Sequence, residues 1–483
     1  MDVAAPTHPA DLSVLQAAAE LRARRLSAVE LLEACRQRID ERNGGEPTFD
    51  GAPNAVNAWV RLYPEIAAEQ ARAADARLAA EGDAAPTVCG IPLGLKDLYG
   101  VEGLPLTASS RVLDGNVSAI DAVAWQRLRD RGMVLVGHTH THEFAAGGTT
   151  DQVGNPWDLT RSPGGSSGGS GAALAAGMIP AALGSDTCGS LRIPSALCGT
   201  STIKPTHGRV PIAGVIPLAP TLDHVGPMAR TVADCAALLT ALAEDGPEPS
   251  GLAGPPAPLG RLPTAPRPGA KPLEGLTIAL NDRPHETEVE PGAAAALDRV
   301  RRACEELGAR IVEQPAPRFL TWDDLDWTFL PEVWAYHAQF AERRDSYRPA
   351  ILELVDASQN FTDAQAYIAT QARRAQAAAV WEGWLAEQGA DLILEPTLPI
   401  GAPERGEGYD PGHAGGTGDP LIALTVEWDL TGFPVAALPV PGGKGEIPFS
   451  VSLIAVRGGE AQVAQAAIDL QEHALGLPEW PAA

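Results

Sequence analysis

A ten-residue run, SPGGSSGGSG at 162–171, leads into AALAAGM, then IPAALG, then a second loop of small residues, GSDTCGSLR. By composition the first run is flexible Gly/Ser linker. The order of the next elements argues otherwise. A helix over 169–178 would carry the chain about 15 Å away from the first loop. A strand of five or six residues would return it about 17–20 Å. Ser166 and Ser167 before the helix and Ser190 after the strand therefore meet at one end of a single layer. A linker has no need of such a return. Glycines around serine let a ligand approach the main chain and expose N–H groups, which suits a small, polar, oxyanionic group.

The rest of the chain alternates helix and strand patterns. Residues 11–43 and 64–82 read as amphipathic helices with NGG and EGD stop signals. VCGIPLGLKDLYG is strand-like, and 121–144 reads as helix, Gly132, strand. ALCGTSTIKPT reads as a further strand, and TVADCAALLTAL as a helix with Thr231 or Asp234 at its cap. Residues 246–272 are rich in Pro and Gly without periodicity, the best linker candidate in the chain. Strand structure resumes at LEGLTIALND. Residues 290–310 and 331–388 are largely helical, ADLILEPTLPI is a buried strand, and the C-terminal part returns to short strands and a last helix. This pattern defines an α/β protein.

Charge narrows the function. A net charge of −25 disfavours contact with nucleic acid or an anionic membrane. The longest apolar stretch, AALAAGMIPAAL, is too short to span a bilayer, and the N-terminus lacks a signal-peptide pattern. Cys35, Cys89, Cys188, Cys198, Cys235 and Cys304 form no CxxC pair and read as reduced thiols. A soluble, cytoplasmic protein is expected.

Serine is a weak nucleophile until a base removes its proton. His138, His140 and His142 share strand spacing, which fits either metal ligation or a polar strand end. Lysine can serve as base where burial makes the amine neutral. Only four of the 36 basic residues are lysine: Lys96, Lys204, Lys271 and Lys444. Lys96 closes GIPLGLK, where Ile91, Leu93 and Leu95 alternate. It either pairs with Asp97 or acts as the base.

These segments resemble the amidase signature family of Ser–Ser–Lys hydrolases. GIPLGLKD, the long stretch from NPWDLTRSPGGSSGGSG through GSDTCGSLRIPSALCGTSTIKPTHGRV, and LDHVGPMARTVADCAALL carry the resemblance, with EPTLPIGAP and DLTGFPVAALPVP near the C-terminus. It implies one large α/β/α domain over 1–483 around a twisted mixed sheet. Within it lie N-terminal helices (1–85), a catalytic core (86–245), a surface connection (246–272), and the remaining core with the pocket region (273–483). The resemblance places the base on Lys96, a bridging serine held by a cis peptide on Ser166, and the nucleophile on Ser190, 24 residues further on. It places oxyanion donors on Thr187, Cys188, Gly189 and Ser190, a bracing ion pair on Asp186 and Arg192, and support for Ser166 on Ser167. No metal or organic cofactor is implied. The implied substrate is a small-molecule amide, and a homodimer is the family-level expectation.

Two positions depart from the family pattern. Cys188 stands where the family usually has Gly, so a positive φ there would be strained. Thr202 replaces the second Gly of GxxGxKPT. The glutaminase subunit of a tRNA-dependent amidotransferase shares the central motif; the acidic composition and the divergence around 411–432 favour a stand-alone amidase. An α/β-hydrolase esterase is a second alternative, since GGSSG satisfies G-x-S-x-G, although DLTRSP is not the strand that elbow requires. A binding protein that has lost catalysis is a third. The aromatic stretch 319–349 reads at most of its positions as a core-packing helix; the resemblance, in which the segment after the central motif helps line the acyl pocket, implies an aryl or other apolar acyl pocket partly walled by Trp327, Trp334 or Tyr336.

Overall fold

The computed structural model describes residues 8–243, 258–283, 287–406 and 419–481. Eleven strands form one sheet: β1 (Trp59–Leu62), β2 (Pro92–Lys96), β3 (Val134–Thr139), β4 (Ala181–Asp186), β5 (Ser201–Lys204), β6 (His224–Ala229), β7 (Thr277–Leu280), β8 (Arg310–Glu313), β9 (Leu392–Pro396), β10 (Val435–Val440) and β11 (Phe449–Ile454). Their order is β1-β3-β2-β4-β6-β5-β10-β11-β9-β7-β8. The strands β3, β2 and β4 run parallel to one another, as do β9, β7 and β8, and antiparallel pairings join these groups. The sheet is mixed, and strands from both sides of the Pro/Gly-rich stretch lie in it.

The helices are α1 (Val14–Arg22), α2 (Ala28–Arg42), α3 (Pro64–Glu81), α4 (Val123–Asp130), α5 (Gly168–Ala175), α6 (Arg192–Cys198), α7 (Val232–Ala243), α8 (Pro291–Glu306), α9 (Trp322–His337), α10 (Pro349–Ser358), α11 (Ala364–Gln388), α12 (Glu427–Leu430) and α13 (Glu460–Leu470). Capping explains several starts: Ser13 with Gln16, Ser27 with Glu30, and Thr321 with Asp324 each close a reciprocal cap. Thr231 accepts the Asp234 N–H at the start of α7. The single helix expected over 11–43 is two helices, because Arg24 takes φ 54° and Ser27 caps a new start.

Strands β2, β3 and β4 are buried along their whole length, the mark of parallel strands covered on both faces. All eight residues of α5 are also buried, so this short Gly/Ala helix lies inside the molecule. The sequence reading did not identify β1, β6 or β8. The most consequential, β6, sits between β4 and β5 although Pro227 lies within it, opposite Leu183. A proline rarely occupies a central strand, which hid β6. In ALCGTSTIKPT, the first three residues instead finish α6, and the strand spans Ser201–Lys204. Residues 246–257 of the expected connection lie outside the described residues. From 258 to 272 the chain is irregular, tied to α13 where Arg267 Nε donates to Asp469 Oδ2 at 2.7 Å.

Candidate active site

Parallel strands present a ligand at their carboxyl ends. Lys96 ends β2, and Ser185 and Asp186 end the adjacent β4. Lys96 is wholly buried, and its Nζ donates to Ser166 Oγ at 2.7 Å and to Ser185 Oγ at 2.9 Å. Burial pushes the Lys96 amine down to about 7, against the opposing pull of the Asp186 and Asp223 carboxylates. Asp97 is engaged elsewhere: it accepts from Thr107 Oγ1 at 2.6 Å and Ser109 N at 2.8 Å.

Ser166 follows a cis Gly165–Ser166 peptide, and its carbonyl accepts from His142 N at 2.9 Å. The glycines of this loop serve close approach. A Cβ on Gly169 would stand 2.4 Å from His140 N and 2.5 Å from Ala58 O. Ser167 Oγ donates to Ser185 O at 3.2 Å and receives Ser185 N at 3.3 Å, stitching the start of α5 to the end of β4. The two small-residue loops thus meet.

Ser190, just ahead of α6, is 6% exposed, whereas Ser166 is wholly buried. No hydrogen bond among the described residues ends on Ser190 Oγ. The loop before it is tightly braced. Arg192 donates to both oxygens of Asp186, at 2.9 and 3.1 Å, to Asp429 Oδ2 at 2.5 Å and to Thr425 O at 2.8 Å. One buried cation therefore bridges two carboxyl groups. It holds Asp186 below the usual carboxylate range, while burial pushes Asp429 up to about 8. Thr187 Oγ1 donates to Asp223 Oδ1 at 2.7 Å, and Thr425 Oγ1 donates to Cys188 O at 2.5 Å.

Two sequence expectations change here. The positive φ falls on Gly189, at 136°, and not on Cys188, so the cysteine is accommodated without left-handed strain. The Gly189 N–H donates to Asp186 Oδ1 at 2.5 Å, which occupies it. Ser185 lines a narrow cavity with Leu98, Ala145, Ile216, Leu218 and Asp223. Trp327 packs edge-on against Phe361, Trp334 against the main core, and Tyr336 against Phe144 and Phe340. The side chain of Cys188 meets an apolar cluster including Leu222, Leu325, Val426 and Leu430. Leu325, Val426 and Leu430 also wall a cavity of about 210 Å³ that Leu320, Trp322 and Arg283 help to line.

Sequence reasoning missed Ser185. Lys204 is buried, with Nζ 3.1 Å from His224 Nε2. The histidine triplet divides its partners: His138 Nδ1 is 2.8 Å from Tyr63 Oη, and His140 Nε2 is 2.9 Å from Thr48 O. These contacts match the polar strand end. Neither strand flanking 164–168 leads directly into it, so the hydrolase elbow is absent.

An α/β/α enzyme with two Gly/Ser loops meeting over a buried lysine defines a C–N hydrolase class. The Amidase family model matches residues 48–464, and the chain belongs to the amidase signature family. It is 34% identical to the A subunit of glutamyl-tRNA(Gln) amidotransferase from Ralstonia nicotianae, over 94% of this chain and 96% of that one. With the corresponding protein of Chloroflexus aggregans the identity is 42%, over 63% of this chain, which there spans 60% of the relative's length. The structure of 6-aminohexanoate cyclic dimer hydrolase shares the fold with a TM-score of 0.80 at 28% identity, covering 97% of this chain and 98% of that one. Among the described residues no helix is long and apolar enough to cross a membrane.

Proposed function

We propose that this protein hydrolyses a small-molecule carboxamide to a carboxylate and ammonia or an amine, through an acyl-enzyme on Ser190. The observation that carries this reading is the Lys96 amine, buried, brought near neutrality and 2.7 Å from Ser166 Oγ. Neutral Lys96 takes the proton of Ser166, Ser166 takes that of Ser190, and Ser190 Oγ adds to the amide carbon. The resting site has no Ser190–Ser166 hydrogen bond, and substrate binding forms it; apo sites often hold such bonds open. The N–H groups of Thr187, Cys188 and Ser190 face the oxyanion, and each such donor contributes about 3 kcal/mol in comparable sites. The proton returns through Ser166 to the leaving nitrogen as the C–N bond breaks. Water, deprotonated by the same relay, then releases the acid.

The apolar cluster beside Cys188 supports an acyl group that is apolar or aryl. The glutaminase reading has its own support, the 34% identity to an amidotransferase A subunit over 94% of this chain. An amide panel separates the two. Ammonia or amine release from aryl and alkyl amides, lost in Ser190→Ala, supports the stand-alone amidase. Release restricted to glutamine, or dependent on added partner subunits, supports the glutaminase.

A further inference from the structure

The end of α5 remote from the serines opens on a third cavity, of about 290 Å³. Asp11, Arg38, Arg42, Gly177, Arg230 and Trp480 line it. Three guanidinium groups converge on this space in a chain of net charge −25, and one carboxylate, that of Asp11, shares the lining.

The three arginines differ in how they are used. Arg230 is pinned: it donates to the carbonyls of Ile179 at 3.1 Å, Ala10 at 3.1 Å and Leu12 at 2.6 Å. Arg38, 7% exposed, donates from Nη1 to Asp11 Oδ1 at 2.8 Å. Arg42 donates from Nη1 to Ala176 O at 3.0 Å and Pro481 O at 2.9 Å. The Nε–H groups of both Arg38 and Arg42 are buried without a hydrogen-bond acceptor among the described residues. Buried donors left unmet are uncommon and costly, and both arginines line the cavity. Of the surrounding carboxylates, Glu41 Oε2 pairs with Arg38 Nε at 3.8 Å, beyond hydrogen-bond distance. Asp234 Oδ1 accepts from Ser13 Oγ and Leu15 N, and its Oδ2 is itself buried without a hydrogen-bond partner among the described residues. Burial and the neighbouring Arg38 charge push the Arg42 guanidinium below its ordinary value, as crowded like charges would.

The cavity also has a shaped floor and a flat wall. A Cβ on Gly177 would stand 3.0 Å from Arg38 Nη1 and 3.7 Å from Asp11 Oδ1, so the glycine leaves that space open. Trp480, half-buried, lines the cavity, with its ring 6.3 Å from that of Trp157 and tilted 48° to it. We infer that this cavity is a second ligand site, for a small carboxylate bearing a ring, with Arg38 and Arg42 holding the carboxylate and Trp480 covering the ring. Guanidinium groups match carboxylate geometry, and an indole face offers a ring apolar area. The eight residues of α5, about 12 Å of helix, separate this site from the serines.

Calorimetric titration of the full chain with benzoate tests the assignment. A saturable site for benzoate is expected, with no binding of benzyl alcohol, its uncharged counterpart, and at least tenfold weaker binding of inorganic phosphate, which lacks the ring. Arg42→Gln and Trp480→Ala each weaken benzoate binding at least tenfold with the circular dichroism spectrum unchanged. Trp480 is only half-buried, so its variant keeps the test open if Arg42→Gln fails to fold. Absence of saturable binding, equal affinity for benzyl alcohol, phosphate bound as tightly as benzoate, or benzoate affinity unchanged by the variants overturns the proposal.

Discussion

Lys96 Nζ and Ser185 Oγ lie 2.9 Å apart at the ends of two neighbouring parallel strands. Ser185 therefore occupies a second contact of the amine whose first is Ser166 Oγ. A hydrogen bond of this kind contributes about 0.5–1.5 kcal/mol, or up to about tenfold in rate if it acts in the transition state. Ser185→Ala should lower kcat/KM by roughly tenfold on such reasoning, with Ser185→Thr restoring most of it. Steady-state kinetics on any accepted amide check this, and an unchanged Ser185→Ala rate shows that the contact with Lys96 does not support turnover.

The pH profile follows from Lys96. Its charged form is disfavoured by burial, so the amine loses its proton at about 7 rather than near its ordinary value. Only the uncharged amine can take a proton. Amidase kcat/KM should fall by about tenfold per unit as pH drops below 7 and should level off above it. A profile still rising at pH 9–10 would mean an unperturbed lysine.

The braced loop predicts a contrast between two carboxylates. Asp186 is held ionised by Arg192, and its oxygens also accept Gly189 N and Leu191 N. Asp429 is pushed up to about 8 and is largely protonated at neutral pH, so asparagine is close to its working form. Asp186→Asn leaves Arg192 poorly compensated and should cost about 3–5 kcal/mol, as breaking a buried pair does. Asp429→Asn should cost about 1 kcal/mol or less, the range of a volume-conserving change. Chemical denaturation at pH 7 distinguishes them, and equal destabilisation contradicts the assignment.

Much of this site was legible because lysine is scarce. Lys96 and Lys204 are both buried, whereas Lys271 and Lys444 are exposed. The return path of α5 and β4 was legible too, since helix and strand lengths nearly cancel. Ser185 was not: it sits on a strand whose every residue is buried, and only the parallel pairing of β2 with β4 brings it to Lys96. The apolar cluster beside Cys188 was not legible, because Ala219 and Leu222, Leu325 and Phe329 of α9, and Val426 and Leu430 reach it from three distant segments. Contacts between remote segments leave no periodic trace.

Cys188 makes a separate prediction. Burial and the nearby Asp429 and Asp186 carboxylates push its thiol well above the ordinary value, so thiolate is scarce at neutral pH. Iodoacetamide at pH 7.5 should leave amide turnover intact, while Cys188→Gly should shift preference toward larger acyl groups by opening space at the apolar cluster. Rapid inactivation that substrate prevents would show a reactive thiol instead.

The central claim is that Lys96 is the base that activates Ser190. Its most direct test is the rate at which a fluorophosphonate labels Ser190 in the unaltered protein and in Lys96→Met, with the labelled peptide read by mass spectrometry. General bases typically contribute about 10²–10⁴-fold, so labelling of Ser190 should slow at least about a hundredfold in Lys96→Met, with the fold retained. Equal labelling rates in the two proteins, or a label on another residue, would contradict the account.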